Sequence, residues 1–112
     1  MTISIAHLGP TGTFSEYAAV SYANTVSSHQ TKLKAYPTIA QAIYATANDE
    51  DQFCVVPIEN SIGGGVTITL DTLWEVTELQ IQQAFTLPIQ HALVSEAKNI
   101  GSIETIYSHP QA

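Results

Sequence analysis

Apolar and polar positions along the chain fall into short blocks whose spacing changes from one block to the next. Ile3, Ile5 and Leu8 form a short β-prone run that Gly9-Pro10-Thr11-Gly12 breaks. Thr13 is followed three residues on by Glu16, a capping-box spacing. The pattern predicts a helix over 14–23 that buries Phe14, Tyr17, Ala18 and Tyr22. Residues 24–30 are polar and read as a loop. Lys32 to Tyr36 alternate as in a strand near a sheet edge, and Pro37 stops it. Thr38 with Gln41 repeats the capping spacing, and Ile39, Ala42, Ile43 and Thr46 suit one face of the next helix. Residues 48–51, all Asn, Asp or Glu, read as a solvated acidic loop, because the spacing and glycine of an EF-hand are absent.

The stretch from Phe53 to Glu75 organises the rest. Phe53-Cys54-Val55-Val56 suits a strand buried on both faces of a sheet, and Pro57 ends it. Glu59, Asn60, Ser61 and the triplet Gly63-Gly64-Gly65 form a polar, glycine-rich loop. Val66, Leu70, Leu73 and Trp74 then recur at helical spacing. Strand, glycine loop and helix in that order have two readings. One is an anion site built from backbone N–H groups beside a helix N-terminus; the other is a plain connection without a ligand.

After Trp74 the period changes. Leu79, Ile81, Phe85, Leu87 and Ile89 keep odd-numbered positions, which predicts one long strand or two joined at Pro88. Residues 96–101 read as a polar turn and 103–107 as another short strand. Ser108-His109-Pro110 resembles a helix start with proline in its first turn, so the chain is expected to be a piece of a longer domain.

Composition narrows the function classes. In 112 residues the chain has only 12% charged residues and a net charge of −7, with three lysines and no arginine. Nucleic-acid and anionic-membrane binding are not expected, since both need a basic footprint. An anionic ligand would be held by N–H groups and hydroxyls, or by a cation from outside the chain. Cys54 is the sole cysteine and lies in an apolar run, so a structural thiol is expected rather than a nucleophile. His7 reads as strand packing. The four histidines lack zinc-type spacing, so no metal is expected. No basic, apolar leader and no membrane-length apolar run is visible, which makes the cytoplasm the expected compartment.

Four segments carry a resemblance. Gly9 to Ala19, GPTGTFSEYAA, resembles the GPxGTFSxxAA signature of the prephenate dehydratase family. Val56 to Leu73 is similar to its VPIENSxxGxVxxTxDxL signature. LPIQHAL, at 87–93, looks like the segment entering the family's second lobe, and SHPQA, at 108–112, matches its SHPQA signature. All four occur in the family's order.

The resemblance implies an α/β fold of two lobes, like that of type II periplasmic binding proteins. Residues 1–78 would form a nearly complete first lobe. Residues 79–112 would form the crossover and the beginning of a truncated second lobe. It also implies conversion of prephenate to phenylpyruvate in phenylalanine biosynthesis, with no cofactor, in a homo-oligomer. Asn60 and Gln111 match positions that line the family's cleft, where an amide can help hydroxide leave. Thr11, Ser61, Ser108, His109 and the loop at Gly64 and Gly65 are the implied substrate contacts. For Asn60 the other reading is a turn cap, for His109 a helix cap, and for Glu59 an anchor of its loop. The family's TRF motif, with its threonine and arginine, and its ACT domain do not occur in the chain. Two other functions stay open: arogenate dehydratase, and a non-catalytic binding domain for an aromatic or dicarboxylate ligand.

Overall fold

A computed structural model of the chain describes residues 2–26, 30–61 and 63–108. Three parallel strands form the sheet: β1 (Thr2–Leu8), β2 (Gln30–Tyr36) and β3 (Phe53–Val55). Their order is β2-β1-β3, with Ile5 opposite Leu33 on one side and Phe53 on the other. The first strand in sequence is therefore the central one, and its Ile5 and Ala6 are fully buried.

Helices cover both faces. The helix α1 (Phe14–Thr25) packs Ala19, Tyr22 and Ala23 on the face that carries Ile3, Ile5, Leu33, Phe53 and Val55. The helix α2 (Ile39–Ala47) packs Ile39 and Ile43 on the opposite face with Leu8, Cys54 and Val56. Odd and even strand positions thus feed two cores, as the two-residue repeat of a strand requires. In α2 the buried residues include Ile39, Ala42, Ile43 and Thr46, the stripe that the spacing predicts. In α1 the buried residues are Ala18 and Ala19, while Phe14 and Tyr17 stand exposed. Small side chains let that helix lie close to the sheet, and its bulky aromatics turn outward.

The run Phe53–Val55 departs from expectation. It is an edge strand of intermediate burial, because among the described residues no strand pairs on its outer side. The glycine triplet also differs from an open loop. Glu59–Asn60 (β4) and Gly64–Gly65 (β5) pair as a small antiparallel hairpin. In the following helix α3 (Thr67–Glu75) the buried residues are Thr69 and Thr72, whereas Leu70 and Trp74 face solvent. The threonine hydroxyls make this possible: Thr69 Oγ1 donates to the Pro57 carbonyl at 2.7 Å and Thr72 Oγ1 to the Ile68 carbonyl at 2.7 Å.

Over residues 77–108 the chain is an arm. Leu79 and Val76 belong to the second core, and a single 3₁₀ turn (Ile100–Ser102) sits under the side chain of Asn99. The strands expected over 79–89 and 103–107 are not formed, since among the described residues no partner strand supplies a ladder. The radius of gyration is 16.7 Å. A compact chain of this length would have about 13 Å, so the arm extends away from a shared core.

Candidate active site at the carboxyl edge of the sheet

A parallel sheet of order β2-β1-β3 has a switch point between β1 and β3. The connection from β1 leads to one side of the sheet, and β3 lies on the other. Ligands of open α/β sheets bind outside the carboxyl ends of the strands at such a point. Two loops leave there. Residues 9–13 follow β1, and residues 56–66 follow β3; His7 stands opposite Val55 in the register just before both. Thr11, Asn60, Ser61, Gly64 and Gly65 are thereby carried on loops of one sheet edge.

The first loop is held close to β2. The Gly9 amide donates to the Tyr36 carbonyl at 2.8 Å, and a Cβ on Gly9 would meet the Ala35 Cβ at 3.2 Å. No larger residue allows this approach without a shift of backbone. Gly12 takes φ +90°, the left-handed region that favours glycine. Thr13 caps α1: its Oγ1 accepts the Glu16 amide at 3.3 Å and donates to the Leu8 carbonyl at 3.4 Å. The Glu16 carboxylate reaches one residue further back than a capping box requires and accepts the Gly12 amide at 3.0 Å. A carboxylate of the chain itself therefore sits on the loop at the positive end of α1.

The second loop is braced from inside. Val66 donates to the Ile58 carbonyl at 2.9 Å, and Asn60 Oδ1 accepts the Gly63 amide at 2.9 Å. Asn60 therefore does cap its turn, through its carbonyl oxygen. Its carboxamide orientation is tied to the backbone that carries Gly64, at φ +74°, and Gly65. Glu59 is exposed on β4 and pairs through its backbone with Gly65.

The arm returns to this edge. The His91 ring meets Phe14, the first residue of α1, edge-on at 6.2 Å between centroids and 76° between planes. His91, Leu93, Ile103, Ile106, Tyr107 and Ser108 help line a concavity of about 500 Å³ within the arm. Ser108 thus lies in the arm rather than on the two loops, and His91 joins the two regions. His109 and Gln111 lie outside the described residues.

One group of charged side chains escaped the sequence reading. Asp51, in the acidic run, is 2% exposed rather than solvated. The Tyr36 hydroxyl donates to its Oδ2 at 2.6 Å, and Lys34 Nζ stands 3.3 Å from its Oδ1. That Oδ1 is buried and is met by the lysine charge without a hydrogen bond of good geometry. Burial alone would push the Asp51 carboxyl up. The hydrogen bond from Tyr36, with the nearby Ser4 hydroxyl and the Lys34 charge, outweighs it and holds the group below the usual range. The available signal was a lysine and a tyrosine alternating on a strand, with an acid just before the neighbouring strand. Tyr36 connects this cluster to the site, because its carbonyl holds the Gly9 amide. His7 is 1% exposed, with Nδ1 3.0 Å from the Leu8 carbonyl, which is strand packing. Burial pushes the Cys54 thiol up, which suits a structural thiol and not a thiolate. Among the described residues no three His, Cys, Asp or Glu side chains converge as metal ligands, and no helix is long and apolar enough to cross a membrane.

The model of the prephenate dehydratase family matches residues 5–112. The chain belongs to the prephenate dehydratase family. It is 38% identical over 110 residues to the prephenate dehydratase of Lactococcus lactis subsp. lactis (strain IL1403), covering 98% of this chain and 37% of that protein. To the prephenate dehydratase of Amycolatopsis methanolica it is 40% identical over 108 residues, covering 96% of this chain and 34% of the relative. A bifunctional chorismate mutase/prephenate dehydratase of Neisseria gonorrhoeae is 39% identical over 113 residues, covering 98% and 29%. The chain thus spans well under half the length of the curated prephenate dehydratase relatives it matches. No solved structure matches it. The fold is a small α/β arrangement with a parallel sheet, as expected for part of a prephenate dehydratase domain.

Proposed function

We propose that the chain supplies the first lobe and the crossover of a prephenate dehydratase, with residues 1–78 in the lobe and 79–112 leading into a second one. In this reading the two lobes close in the manner of type II periplasmic binding proteins, and the enzyme works in the cytoplasm on the route to phenylalanine. The observation that supports it is that the two signature loops follow the carboxyl ends of the neighbouring parallel strands β1 and β3, at the switch point of the sheet.

The chemistry follows from the substrate. Prephenate carries a ring carboxylate opposite a ring hydroxyl, and a second carboxylate on its side chain. As the ring carboxylate leaves as carbon dioxide, its electron pair moves through the ring and the hydroxyl departs; protonation of that oxygen gives water. Aromatisation drives the step, so the protein has to orient the dianion and donate to the leaving oxygen. Asn60 is the donor in this proposal. Its Oδ1 is turned to Gly63, which fixes the carboxamide plane in advance. Gln111 is assigned the same duty from the SHPQA segment. Thr11, Ser61 and Ser108, with His109 and the backbone at Gly64 and Gly65, take the carboxylates. With no arginine in the chain, a cation for the dianion comes from elsewhere in the enzyme.

The deciding experiment assays the intact enzyme containing this chain on prephenate and on arogenate, following phenylpyruvate and phenylalanine. Turnover of prephenate with little on arogenate is expected. Preference for arogenate would make it an arogenate dehydratase, and binding without turnover would make it a ligand-binding domain. The 112-residue chain by itself is expected to show no activity, since it contains no Thr-Arg-Phe sequence; turnover above the uncatalysed rate would contradict that assignment.

A further inference from the structure

The arm is not tied to the sheet by a ladder, for among the described residues 79–108 contribute no strand. Two of its side-chain hydrogen bonds, Ser95–Ala97 and Asn99–Ser102, are local. Its middle touches the body through the ring contact between His91 and Phe14. Phe14 is well placed to receive it. It follows the helix cap Thr13 directly, and Thr13 is bonded both to Glu16 and to the end of β1. The Phe14 ring is 51% exposed, so it does no work in the core. An aromatic at the first position of a helix, held by the cap and turned outward, is a fixed peg. On the arm side, His91 opens the concavity that also contains Ser108.

From this geometry we infer that His91 is a positioning residue, which latches the arm onto Phe14 and so fixes the arm concavity that contains Ser108 relative to the start of α1. The inference rests on the dehydratase reading above. Ser108 in that reading holds a carboxylate, which is present in the substrate and in the transition state alike. Loosening the latch therefore weakens both equally, and KM rises while kcat changes little. Aromatic pairs of this kind correspond to roughly a two- to tenfold change in an equilibrium.

The test uses the intact enzyme with prephenate. His91→Ala should raise KM roughly two- to tenfold with kcat held within about twofold, and His91→Phe should restore most of the loss. Phe14→Leu should match His91→Ala, and the double variant should be no worse than either single one, as for two halves of one contact. A readout independent of activity comes from NMR: the His91 imidazole protons should shift when Phe14 becomes Leu, as the ring current is lost. Unchanged KM in His91→Ala, failure of His91→Phe to rescue, multiplicative effects in the double variant, or an unmoved imidazole signal would each overturn the inference while leaving the function intact. A wild-type enzyme inactive on prephenate would instead sink the functional reading, and the positioning role with it.

Discussion

Tyr36 donates its phenol to the buried carboxylate of Asp51 at 2.6 Å, while its own backbone carbonyl accepts the Gly9 amide at 2.8 Å. One residue of an edge strand thereby ties a charge inside the sheet to the first loop of the candidate site. Asp51 precedes β3, so the bond also links the two outer strands across β1.

Tyr36→Phe removes the hydroxyl and leaves a buried carboxylate oxygen with one partner fewer. A hydrogen bond to a charged group contributes about 1.5–3 kcal/mol, and a loss of that size is expected in urea unfolding of the isolated chain or the parent enzyme. A change below about 0.5 kcal/mol, the usual range for surface substitutions, would mean that the cluster is solvated in solution.

The same carboxylate makes stability depend on acid. Asp51 is held below its ordinary value in the fold, so the folded state binds its proton less readily than the unfolded chain. Its stabilisation is fully present above the unfolded carboxylate value, near 4, and is lost as pH falls through the lower folded value. The stability advantage of wild type over Asp51→Asn should accordingly shrink below pH 4. Unfolding curves at neutral pH and at several points below pH 4 would measure it, and a constant gap would exclude Asp51 as the source.

Asn60→Asp separates the two duties of that residue. An aspartate keeps an oxygen for the Gly63 amide, but it cannot donate to a departing hydroxide and adds charge beside a dianion. Turnover of the intact enzyme should fall by about 10²–10³, with the melting temperature within ~2 °C of wild type. Near-normal kcat would confine Asn60 to capping its turn.

Association is expected from the surface. Trp74 on α3 and Val94 and Tyr107 on the arm are 86%, 90% and 91% exposed, and Leu70, Ile81 and Ile106 add to the apolar area. Exposed apolar area of this kind drives contact between copies, and exchange of the arm is a low-cost route. Light scattering after size exclusion should show a dimer or larger species for the 112-residue chain. A monomer at high micromolar concentration that unfolds cooperatively would rule this out.

Much of the body was legible from spacing. The stripe Ile39, Ala42, Ile43 and Thr46 reads as a helix face because apolar side chains at that period have one place to go, and the structure buries all four. The caps Thr13 and Thr38 were equally readable, since an oxygen followed three residues later by an amide is a local arrangement. Elsewhere local chemistry outweighed polarity. Thr69 and Thr72 turn inward in place of Leu70 and Trp74 because carbonyls of Pro57 and Ile68 satisfy their hydroxyls. Asp51 is inside because a lysine and a tyrosine from another strand meet it, a pairing that appears only after folding. Alternation in the arm announces strands, yet a strand exists only with a neighbour to bond to. In the site, the signature segments were visible as words, but that their two loops share one edge follows from the strand order.

The central place of β1 carries a consequence for synthesis. Its Ile5 and Ala6 are sealed only when β2 and β3 have been laid on either side. At the ribosome, where about 5–20 residues are added per second, β1 emerges and waits some seconds for its first neighbour and longer for its second. During that interval a short apolar strand has both edges open. The nascent chain is therefore most exposed to mispairing at β1, and a holding chaperone would be needed there sooner than at the two strands that flank it.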